Sequence, residues 1–373
     1  MDSIVFHLRA EPYPVGLVTS ITPETAKTLI EGGAVVNVES STVRCFNDAE
    51  YEKAGARIVP AGSWATAPPD HFIIGIKQVE DGTFPITQTH YCASHYFKEQ
   101  KGWVEGLRRF AEGGGTLLDR GWIKTVAGID LDTFEPLTGL AGACMALKVW
   151  SHQLRNPDGP LIGPLPQYRS AVLLREAQDA LKEGKQLAGR LPRVIVLGAR
   201  GRCGRAATDA FEKIGLPASQ VVHWGRAETS RPGPYREILE SDILINATFI
   251  TSPIHPFVDA KSLHQDRQLS VIVDLSCDSN GPYHPLPVYR SGTSLEEPTI
   301  AIEVPSGPPL TVFAIGYLPV ALAVEASTIA SRNNVPLFQR LGDWRRAEVW
   351  RLLERLFRQK LETLPAYIPR SRL

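Results

Sequence analysis

The stretch VIVLGARGRCGRAATDAF, residues 194–211, decides the fold of the second half of the chain. Four apolar residues run into the glycines Gly198, Gly201 and Gly204, and a helical segment follows. A strand, a glycine-rich turn and a helix N-terminus in this order form a cradle for a pyrophosphate, because glycines let the phosphate approach free backbone amides. The spacing GxxGxxG differs from the commoner GxGxxG. It predicts a dinucleotide site, although many tight turns carry such glycines.

Predicted helices and strands alternate on both sides of this turn. A long apolar helix is predicted from residue 136 to 155, and a loop rich in proline and glycine follows it. The strand candidates after the turn are VVHW (221–224), DILINATF (242–249), SVIVDLSC (270–277) and TIAIEV (299–304). Their spacing leaves room for short helices, which predicts a doubly wound sheet. We therefore expect a dinucleotide-binding domain over residues 136–319.

The first part of the chain shows the same alternation. The strand candidates are IVFHL (4–8), VVNVES (35–40), HFIIGIK (71–77) and TLLD (116–119), and helical segments separate them. Residues 1–135 thus form one α/β unit, and the helical C-terminal stretch, about 320–373, is predicted to pack back on it as part of a substrate domain. The predicted fold is α/β, with two doubly wound, Rossmann-like parallel-sheet domains.

Composition restricts the function. The 373 residues hold 40 basic and 40 acidic side chains, a formal charge of zero, whereas a nucleic-acid binder needs a basic excess. We expect small-molecule substrates, no nucleic acid, no membrane, and a monomer or weak oligomer. The longest apolar stretch, 311–324, is broken by Gly316 and Pro319, and the N-terminus lacks a secretory pattern, so the cytoplasm is expected. Five scattered cysteines predict neither a metal site nor a disulfide framework.

The position that distinguishes NAD from NADP lies after the strand VVHW, about 20 residues beyond the glycine turn. Gly225 and Arg226 stand there. An acid would bind the ribose hydroxyls of NAD, whereas an arginine with no carboxylate beside it suits the 2′-phosphate of NADP. Arg200 and Arg202 lie in the neighbouring turn. NADP(H) is therefore favoured over NAD(H), with a solvated surface role for Arg226 as the alternative.

Several different short motifs are distributed along nearly the whole chain. They are HLRAE (7–11), ITPETAKTLIEGG (21–33), AEYEKAGARIVPAGSW (49–64), IIGIK (73–77), KEQKGW (98–103), GLAGA (139–143), GARGRCG (198–204), ETSRPGPY (228–235), VDLSCD (273–278) and HPLPVY (284–289). In order and spacing they resemble the fungal lysine-forming saccharopine dehydrogenase family, in the wider alanine dehydrogenase structural group. The resemblance implies an interdomain cleft and NAD(P)-linked chemistry at a carbon–nitrogen bond, either reductive condensation of an oxo compound with an amine or the reverse.

Two catalytic positions of that family are matched. Lys77, at the end of the predicted strand HFIIGIK, corresponds to the lysine that exchanges a proton with the secondary amine. A partly desolvated lysine has a lowered pKa, which suits acid–base work near neutral pH. His95 corresponds to the histidine that handles water addition to, or loss from, the imine, and histidine titrates in that range. His90 is a less favoured alternative acid or base.

We also assign residues around the glycine turn to the coenzyme site. The resemblance adds four positions, which are Cys203, Arg231, Phe249 and Asp278. The positions named above are Gly198, Arg200, Gly201, Arg202, Gly204, Gly225 and Arg226. A disulfide of Cys203 is excluded, because the family's partner cysteine is Ala247 here.

The departures from the family pattern fall in the substrate site. Val18 stands where the family has an arginine that binds the oxo-acid carboxylate, and a second basic residue of that site falls at Ile129 or Asp130. Losing both removes charge-assisted hydrogen bonds worth roughly 1.5–3 kcal/mol each. We therefore expect a changed carbonyl or amine partner rather than tight 2-oxoglutarate binding.

Other substrate positions also differ. Glutamates expected beside the catalytic lysine and across the cleft are replaced by Gln78 and Gly121. An Asp-His pair near the nicotinamide is replaced by Gly316 and Tyr317, while Lys98, normally near that aspartate, remains. Authentic saccharopine dehydrogenase and a non-redox family member stay open as alternatives to a specialised imine reductase.

The C-terminal tripeptide bears on localisation. Residues Ser371–Leu373 read SRL, a variant of the peroxisomal SKL signal, although three residues match easily by chance. Peroxisomal import is therefore an expectation beside the cytoplasm.

Overall fold

The computed structural model describes residues 3–80, 82–94, 96–99, 102–129, 131, 133–159, 161–277, 279, 283–341 and 347–365. The chain divides into two compact units. Unit 1 consists of Met1–Thr133 and Ala323–Leu373, and unit 2 consists of Phe134–Leu322.

Strands and helices alternate through most of the chain. The strands are β1 (Val5–Leu8), β2 (Val35–Glu39), β3 (Arg57–Val59), β4 (Phe72–Ile74), β5 (Thr89–Cys92), β6 (Thr116–Asp119), β7 (Val194–Leu197), β8 (Val221–Trp224), β9 (Ile243–Asn246), β10 (Val271–Asp274), β11 (Ile300–Ile302) and β12 (Leu310–Phe313). The helices are α1 (Pro23–Glu31), α2 (Asp48–Lys53), α3 (Trp103–Gly113), α4 (Ile123–Ala127), α5 (Glu135–Arg155), α6 (Ser170–Ala188), α7 (Arg202–Ile214), α8 (Arg226–Thr229), α9 (Arg236–Leu239), α10 (Ala323–Phe338) and α11 (Glu348–Glu362).

Unit 1 is built on a six-stranded parallel sheet with the order β3-β2-β1-β4-β5-β6. The chain moves from β1 outward to β3 and then crosses to β4 on the other side of β1. The strand order therefore reverses between β1 and β4. In open parallel sheets, ligands bind outside the carboxyl ends of the strands at such a switch point.

Apolar side chains cover both faces of this sheet. Phe6 and Leu8 of β1 face one cluster, which Trp350 of α11 completes. Ile73 of β4 faces a second cluster, which contains Phe357 of the same helix. The C-terminal helices are thus part of the core of unit 1, and the buried bond from the Tyr91 hydroxyl to Asn334 Oδ1 (2.9 Å) adds a polar link to α10.

Unit 2 contains a second six-stranded sheet with the order β11-β12-β10-β9-β7-β8. Its strand order reverses between β7 and β9. Five strands are parallel, whereas β11, predicted as TIAIEV, pairs antiparallel with β12 and ends the sheet. The sequence analysis did not identify β12 and treated its residues only as part of an apolar stretch. The antiparallel edge corrects the expectation of an entirely parallel sheet, and the doubly wound α/β class is confirmed.

The long helix α5 packs closely on α7 because Gly139 has no side chain. A Cβ atom at Gly139 would lie 2.2 Å from the carbonyl oxygen of Cys203. This contact holds the helix that follows the glycine turn against the body of unit 2.

Candidate active site

The switch point of unit 1 carries a buried ion pair. Directly after β1, the Arg9 guanidinium donates to Glu11 Oε1 at 2.6 Å, and both side chains are at most 4% exposed. Burial raises the pKa of Glu11, while the positive charge of Arg9 opposes that shift. Two charged groups are therefore fixed at the place where a doubly wound sheet binds its ligand.

Lys77 lies on the other side of the same switch point. Strand β4 ends at Ile74, so Lys77 follows the strand by three residues instead of ending it, which corrects the predicted boundary. Arg9 Nη2 donates to the Lys77 carbonyl at 2.7 Å, and the Lys77 amide donates to Glu11 Oε1 at 3.3 Å. The side chain of Lys77 is half-buried. The backbone of this lysine is thus held on both sides by one ion pair.

Asp119 fixes the segment that leads to His95. At the end of β6, its carboxylate accepts hydrogen bonds from the Ser94 amide (3.2 Å) and hydroxyl (2.8 Å) and from the Gly121 amide (2.8 Å). Burial raises the pKa of Asp119 to about 6, and the bonds from Ser94 oppose this shift. His95 itself lies outside the described residues.

His90 occupies the core and does not belong to this edge. It lies within β5, and its ring makes edge-to-face contacts with Trp64 and Phe110 at 5.2 Å between centroids. Burial, followed by the charges of Arg9 and Arg109, lowers the pKa of His90 well below its ordinary value. The aromatic side chains that enclose the ring disfavour the alternative acid–base role for His90.

Val18, a predicted substrate position of unit 1, lies beside the Arg9–Glu11 pair. Val18 is buried and lines a small cavity, of about 10 Å³, together with Arg9, Glu11 and Arg44. Arg9 Nε and Arg44 Nη1 are buried and have no hydrogen-bond partner within the described part of the chain. The wall of the cavity beside Val18 therefore contains two guanidinium groups.

The remaining substrate positions are spread over both units. The carbonyl oxygen of Gln78 accepts a hydrogen bond from Arg9 at 3.3 Å, and Gly121 lies in a 3-10 helix after β6. Lys98 ends another 3-10 helix, Tyr96–Lys98, and Asp130 lies outside the described residues. Two further positions belong to unit 2, where Gly316 is exposed and the Tyr317 ring lies 6.2 Å from that of Phe134.

The glycine turn lies at the switch point of unit 2, between β7 and α7. Gly198 has a φ of +76°, and a Cβ there would lie 2.5 Å from the Ala247 carbonyl. A Cβ at Gly204 would lie 2.3 Å from the Gly198 carbonyl, whereas the nearest such atom for Gly201 is 3.3 Å away. Two of the three glycines thus serve close packing of the turn, and Gly201 is the one that leaves its outer side open for a phosphate.

A carboxylate lies beside Gly225 at the end of β8, although the sequence position itself is neutral. Glu228 Oε2 accepts a hydrogen bond from the Gly225 amide at 2.6 Å, which lowers the pKa of Glu228. A Cβ at Gly225 would lie 3.6 Å from both that oxygen and Arg200 Nε. The place expected to be free of acids therefore has one carboxylate and one guanidinium.

The other predicted arginines differ in their contacts. Arg226 begins α8 and is exposed. Arg231 packs on the Trp224 ring at 4.9 Å and pairs with Glu237 at 3.2 Å. Arg202 pairs with Glu135 at 3.0 Å. Of these three arginines, Arg202 and Arg231 are thus paired with carboxylates, whereas Arg226 is exposed.

A buried polar network shapes the ends of β9 and β10. Asp274 accepts hydrogen bonds from Asn246 Nδ2 (3.0 Å) and the Tyr289 hydroxyl (2.6 Å). Phe249, beyond β9, is 90% exposed. Burial raises the pKa of the Cys203 thiol to about 12, so this thiol is unreactive at neutral pH.

Other expectations concern residues outside the described ranges, metals and membranes. Asp278 and the C-terminal tripeptide Ser371–Leu373 lie outside those ranges. Among the residues that the structure describes, no group of three or more His, Cys, Asp or Glu side chains could hold a metal ion. None of the helices in the described ranges combines the length and apolarity that a membrane crossing needs.

The sequence analysis missed several residues that shape these sites. Arg9, Glu11, Asp119 and Glu228 were not among its candidates. One signal for the first two was available, because HLRAE places two charges directly after an apolar strand. Glu228 carried a weaker signal, since an acid three residues after a glycine is the pattern of a helix N-terminus.

The fold and the two switch points define a two-unit, doubly wound α/β protein. Residues 11–141 match the family described as "Alanine dehydrogenase/PNT, N-terminal domain". A solved L-alanine dehydrogenase matches 97% of this chain and 100% of its own, with a TM-score of 0.64 and 18% identity. A transhydrogenase from Sinorhizobium meliloti matches 90% and 94%, with a TM-score of 0.59 and 18% identity. At this identity the likeness concerns the fold alone.

Curated relatives define the family. A Neurospora crassa protein named saccharopine dehydrogenase [NAD(+), L-lysine-forming] is 42% identical over 98% of both chains. Proteins of the same name from Emericella nidulans and Schizosaccharomyces pombe are 39% and 37% identical and cover 98% and 96% of this chain, and 99% and 98% of their own. The chain belongs to the saccharopine dehydrogenase family, which confirms the resemblance drawn from the motifs.

Proposed function

We propose that this protein is a nicotinamide-dinucleotide-dependent oxidoreductase that acts on a carbon–nitrogen bond. The observation that carries the proposal is the placement of both predicted centres at switch points. Lys77 follows β4 in unit 1, and the glycine turn follows β7 in unit 2. The names of the curated relatives support the same reaction class.

The proposed reaction joins an amine to a carbonyl compound. The amine adds to the carbonyl, water leaves the carbinolamine, and the resulting imine takes up a hydride and a proton to give a secondary amine. His95 assists the loss of water, and Lys77 exchanges the proton on nitrogen. The bound nicotinamide supplies the hydride, or accepts it in the reverse direction.

The surroundings of Lys77 suit this task. Its side chain is half-buried, so it is partly desolvated, while the negative charge of Glu11 interacts with it. Desolvation favours the neutral amine and a nearby carboxylate favours the ammonium. A lysine under both influences exchanges a proton with a substrate nitrogen without being locked in one state.

The finer proposal for the coenzyme is NADP(H) rather than NAD(H). Arg200 and Arg226 flank Gly225 and supply positive charge for a 2′-phosphate. Two observations oppose it. Glu228 provides a carboxylate at Gly225, which suits ribose hydroxyls, and the curated relatives carry NAD(+) in their names.

The finer proposal for the substrate is a carbonyl or amine partner that differs from that of saccharopine synthesis. Its support is the buried apolar side chain of Val18 at the position where the family has a carboxylate-binding arginine. Authentic saccharopine dehydrogenase is the second candidate, and the 42% identity to a protein of that name favours it. Restored growth of a lysine-requiring mutant would support the second candidate, and failure despite good expression would count against it.

Mass spectrometry of the products tests the reaction class. NADPH or NADH is incubated with a panel of amines and oxo acids or aldehydes, using the wild type, Lys77→Met and the matched control Lys27→Met, an exposed lysine of α1. We expect a secondary amine with the wild type and Lys27→Met, and a loss of at least about 100-fold with Lys77→Met. Equal product with both variants would remove Lys77 from the mechanism. Nicotinamide enzymes ordinarily bind their coenzymes with a Kd below about 1 mM. If neither NADPH nor NADH binds this protein with a Kd in that range, the proposed redox function is wrong.

A further inference from the structure

We propose that Arg9 and Glu11 are positioning residues for Lys77. They hold its backbone at the switch point and hold a negative charge near its amine. The catalytic meaning of this inference rests on the role of Lys77 under the proposed function. The positioning of the Lys77 backbone does not rest on the proposed function.

The contacts form a closed arrangement around residues 76–78. Glu11 Oε1 accepts the Ile76 amide at 2.6 Å and the Lys77 amide at 3.3 Å. Arg9 Nη2 donates to the Lys77 carbonyl at 2.7 Å and to the Gln78 carbonyl at 3.3 Å. Since Arg9 also donates to Glu11, one ion pair binds both the amide and the carbonyl of the same lysine.

Gly75 shows how closely the segment runs against this pair. A Cβ at Gly75 would lie 2.5 Å from Arg9 Nη2 and 2.7 Å from Glu11 Oε1. A side chain at position 75 would displace the pair, so the turn after β4 lies directly on the two charges. The Arg9 amide also bonds to the Ile74 carbonyl at 3.0 Å, which continues the pairing of β1 and β4 up to the pair.

The energetics indicate a specific task for the pair. Burial disfavours both charges, and the raised pKa of Glu11 shows that its ionisation is opposed. An apolar pair of similar volume would fill the same space but would leave the amides and carbonyls of residues 76–78 without partners. The ion pair satisfies these backbone groups and so fixes the main chain from which the side chain of Lys77 extends.

The charge of Glu11 also acts on the amine. The two groups attract each other, which favours the ammonium form of Lys77. Removing that charge leaves Arg9 as an uncompensated cation nearby, and this also disfavours the ammonium. Both effects have the same sign, so loss of the Glu11 charge makes Lys77 deprotonate at lower pH.

The test measures Lys77 directly and needs no substrate. The full-length protein is labelled briefly with an amine-specific acetylating reagent across a pH series, and the extent at Lys77 is read by peptide mass spectrometry. The variant is Glu11→Gln, and the matched control is Glu39→Gln. Glu39 is another buried carboxylate, at the end of β2, that accepts hydrogen bonds from the Ala10 and Trp64 amides.

We expect the labelling midpoint of Lys77 to fall by about 1 pH unit in Glu11→Gln and to stay unchanged in Glu39→Gln. An unchanged midpoint and unchanged labelling rate in folded Glu11→Gln would overturn the proposal and leave the pair as a structural contact. If Glu11→Gln does not fold, Arg9→Lys replaces it. That variant keeps the ion pair but lacks the planar fork, and a labelling rate at Lys77 equal to that of the wild type would overturn the proposal equally.

Activity separates this inference from the proposed function. If the Lys77 midpoint moves in Glu11→Gln and Lys77→Met still forms product, the positioning stands and the catalytic role of Lys77 fails. If the positioning and the catalytic role of Lys77 both hold, Glu11→Gln should lower kcat about 10-fold or more and leave the coenzyme Kd unchanged. The pH profile of kcat should then shift together with the labelling midpoint of Lys77.

Discussion

Asp119 accepts hydrogen bonds from both the amide and the hydroxyl of Ser94, at 3.2 and 2.8 Å. Ser94 directly precedes His95 in the chain. The end of β6 therefore holds the residue that precedes the predicted catalytic histidine in sequence, much as the segment after β1 holds Lys77. In both places a buried acid at or just after the end of one strand binds the loop that follows a neighbouring strand.

Asp119 should make stability depend on pH. Its pKa is raised from 3.8 to about 6 in the fold, so the folded state binds the proton more strongly and loses stability as pH rises through this range. Between pH 5 and 7 this group should reduce the free energy of unfolding by about 1 kcal/mol. Urea unfolding of the wild type and Asp119→Asn at both pH values measures the difference.

The exposed Glu52 of α2 provides the control for that measurement. Glu52→Gln should follow the wild type at both pH values, because its carboxylate is in solvent. A difference between wild type and Asp119→Asn that does not change from pH 5 to 7 would contradict the prediction.

Substitutions at two glycines of the glycine turn should affect stability and coenzyme binding separately. Gly204→Ala places a Cβ 2.3 Å from the Gly198 carbonyl and should lower stability by about 1–3 kcal/mol. Gly201→Ala meets its nearest atom at 3.3 Å and has an ordinary φ of −74°, so the fold should tolerate it. Its methyl group would stand on the open side of the turn, and we expect coenzyme Kd to rise about 10-fold or more.

Unfolding curves and fluorescence titration with NADPH or NADH measure the two effects. Wild-type affinity in folded Gly201→Ala would show that the pyrophosphate does not lie on this turn.

Sequence patterns were sufficient for the parts of the fold that depend on local order. The glycine turn, α5, α6, β7 and the strands β1, β2 and β6 all follow from apolar runs and breakers that lie next to each other in the chain. β5, with the sequence THYC, was missed because polar Thr89 and His90 break its apolar pattern. β12 was missed because its apolar residues run on through Ala314 and Ile315, which made them the start of one longer apolar stretch, 311–324.

His90 shows that the sequence alone does not reveal whether a histidine is placed to act as an acid or base. Replacing it by Phe keeps an aromatic ring between Trp64 and Phe110, and its Nε2 has no partner in the described part of the chain. We expect stability within about 1.5 kcal/mol of the wild type and an unchanged pH–activity profile. A lost limb of that profile in folded His90→Phe would return His90 to the mechanism.

The contacts that hold the candidate sites could not be derived from sequence, because they join distant segments. Arg9 and Lys77 are 68 positions apart, and Ser94 and Asp119 are 25 apart. Sheet order brings each pair together, since β1 neighbours β4 and β5 neighbours β6. Predicting Arg9 as a partner of Lys77 requires the strand order first, which apolar periodicity alone does not determine.

Gly225 offers the sharpest test of coenzyme choice. Its backbone is extended, and a Cβ there would meet Arg200 Nε and Glu228 Oε2 only at 3.6 Å, so a side chain fits without displacement. Gly225→Asp would add a second carboxylate beside Glu228 and neutralise Arg200, which disfavours a 2′-phosphate and favours ribose hydroxyls. We expect the Kd ratio of NADH to NADPH, measured by fluorescence titration, to fall about 10-fold or more. Gly225→Asn has the same size without the charge and should leave the ratio near that of the wild type. Equal Kd ratios in the two variants would mean that charge at this position does not select the coenzyme. If the wild type itself binds NADH more tightly than NADPH, Glu228 already supplies the acid that position 225 lacks.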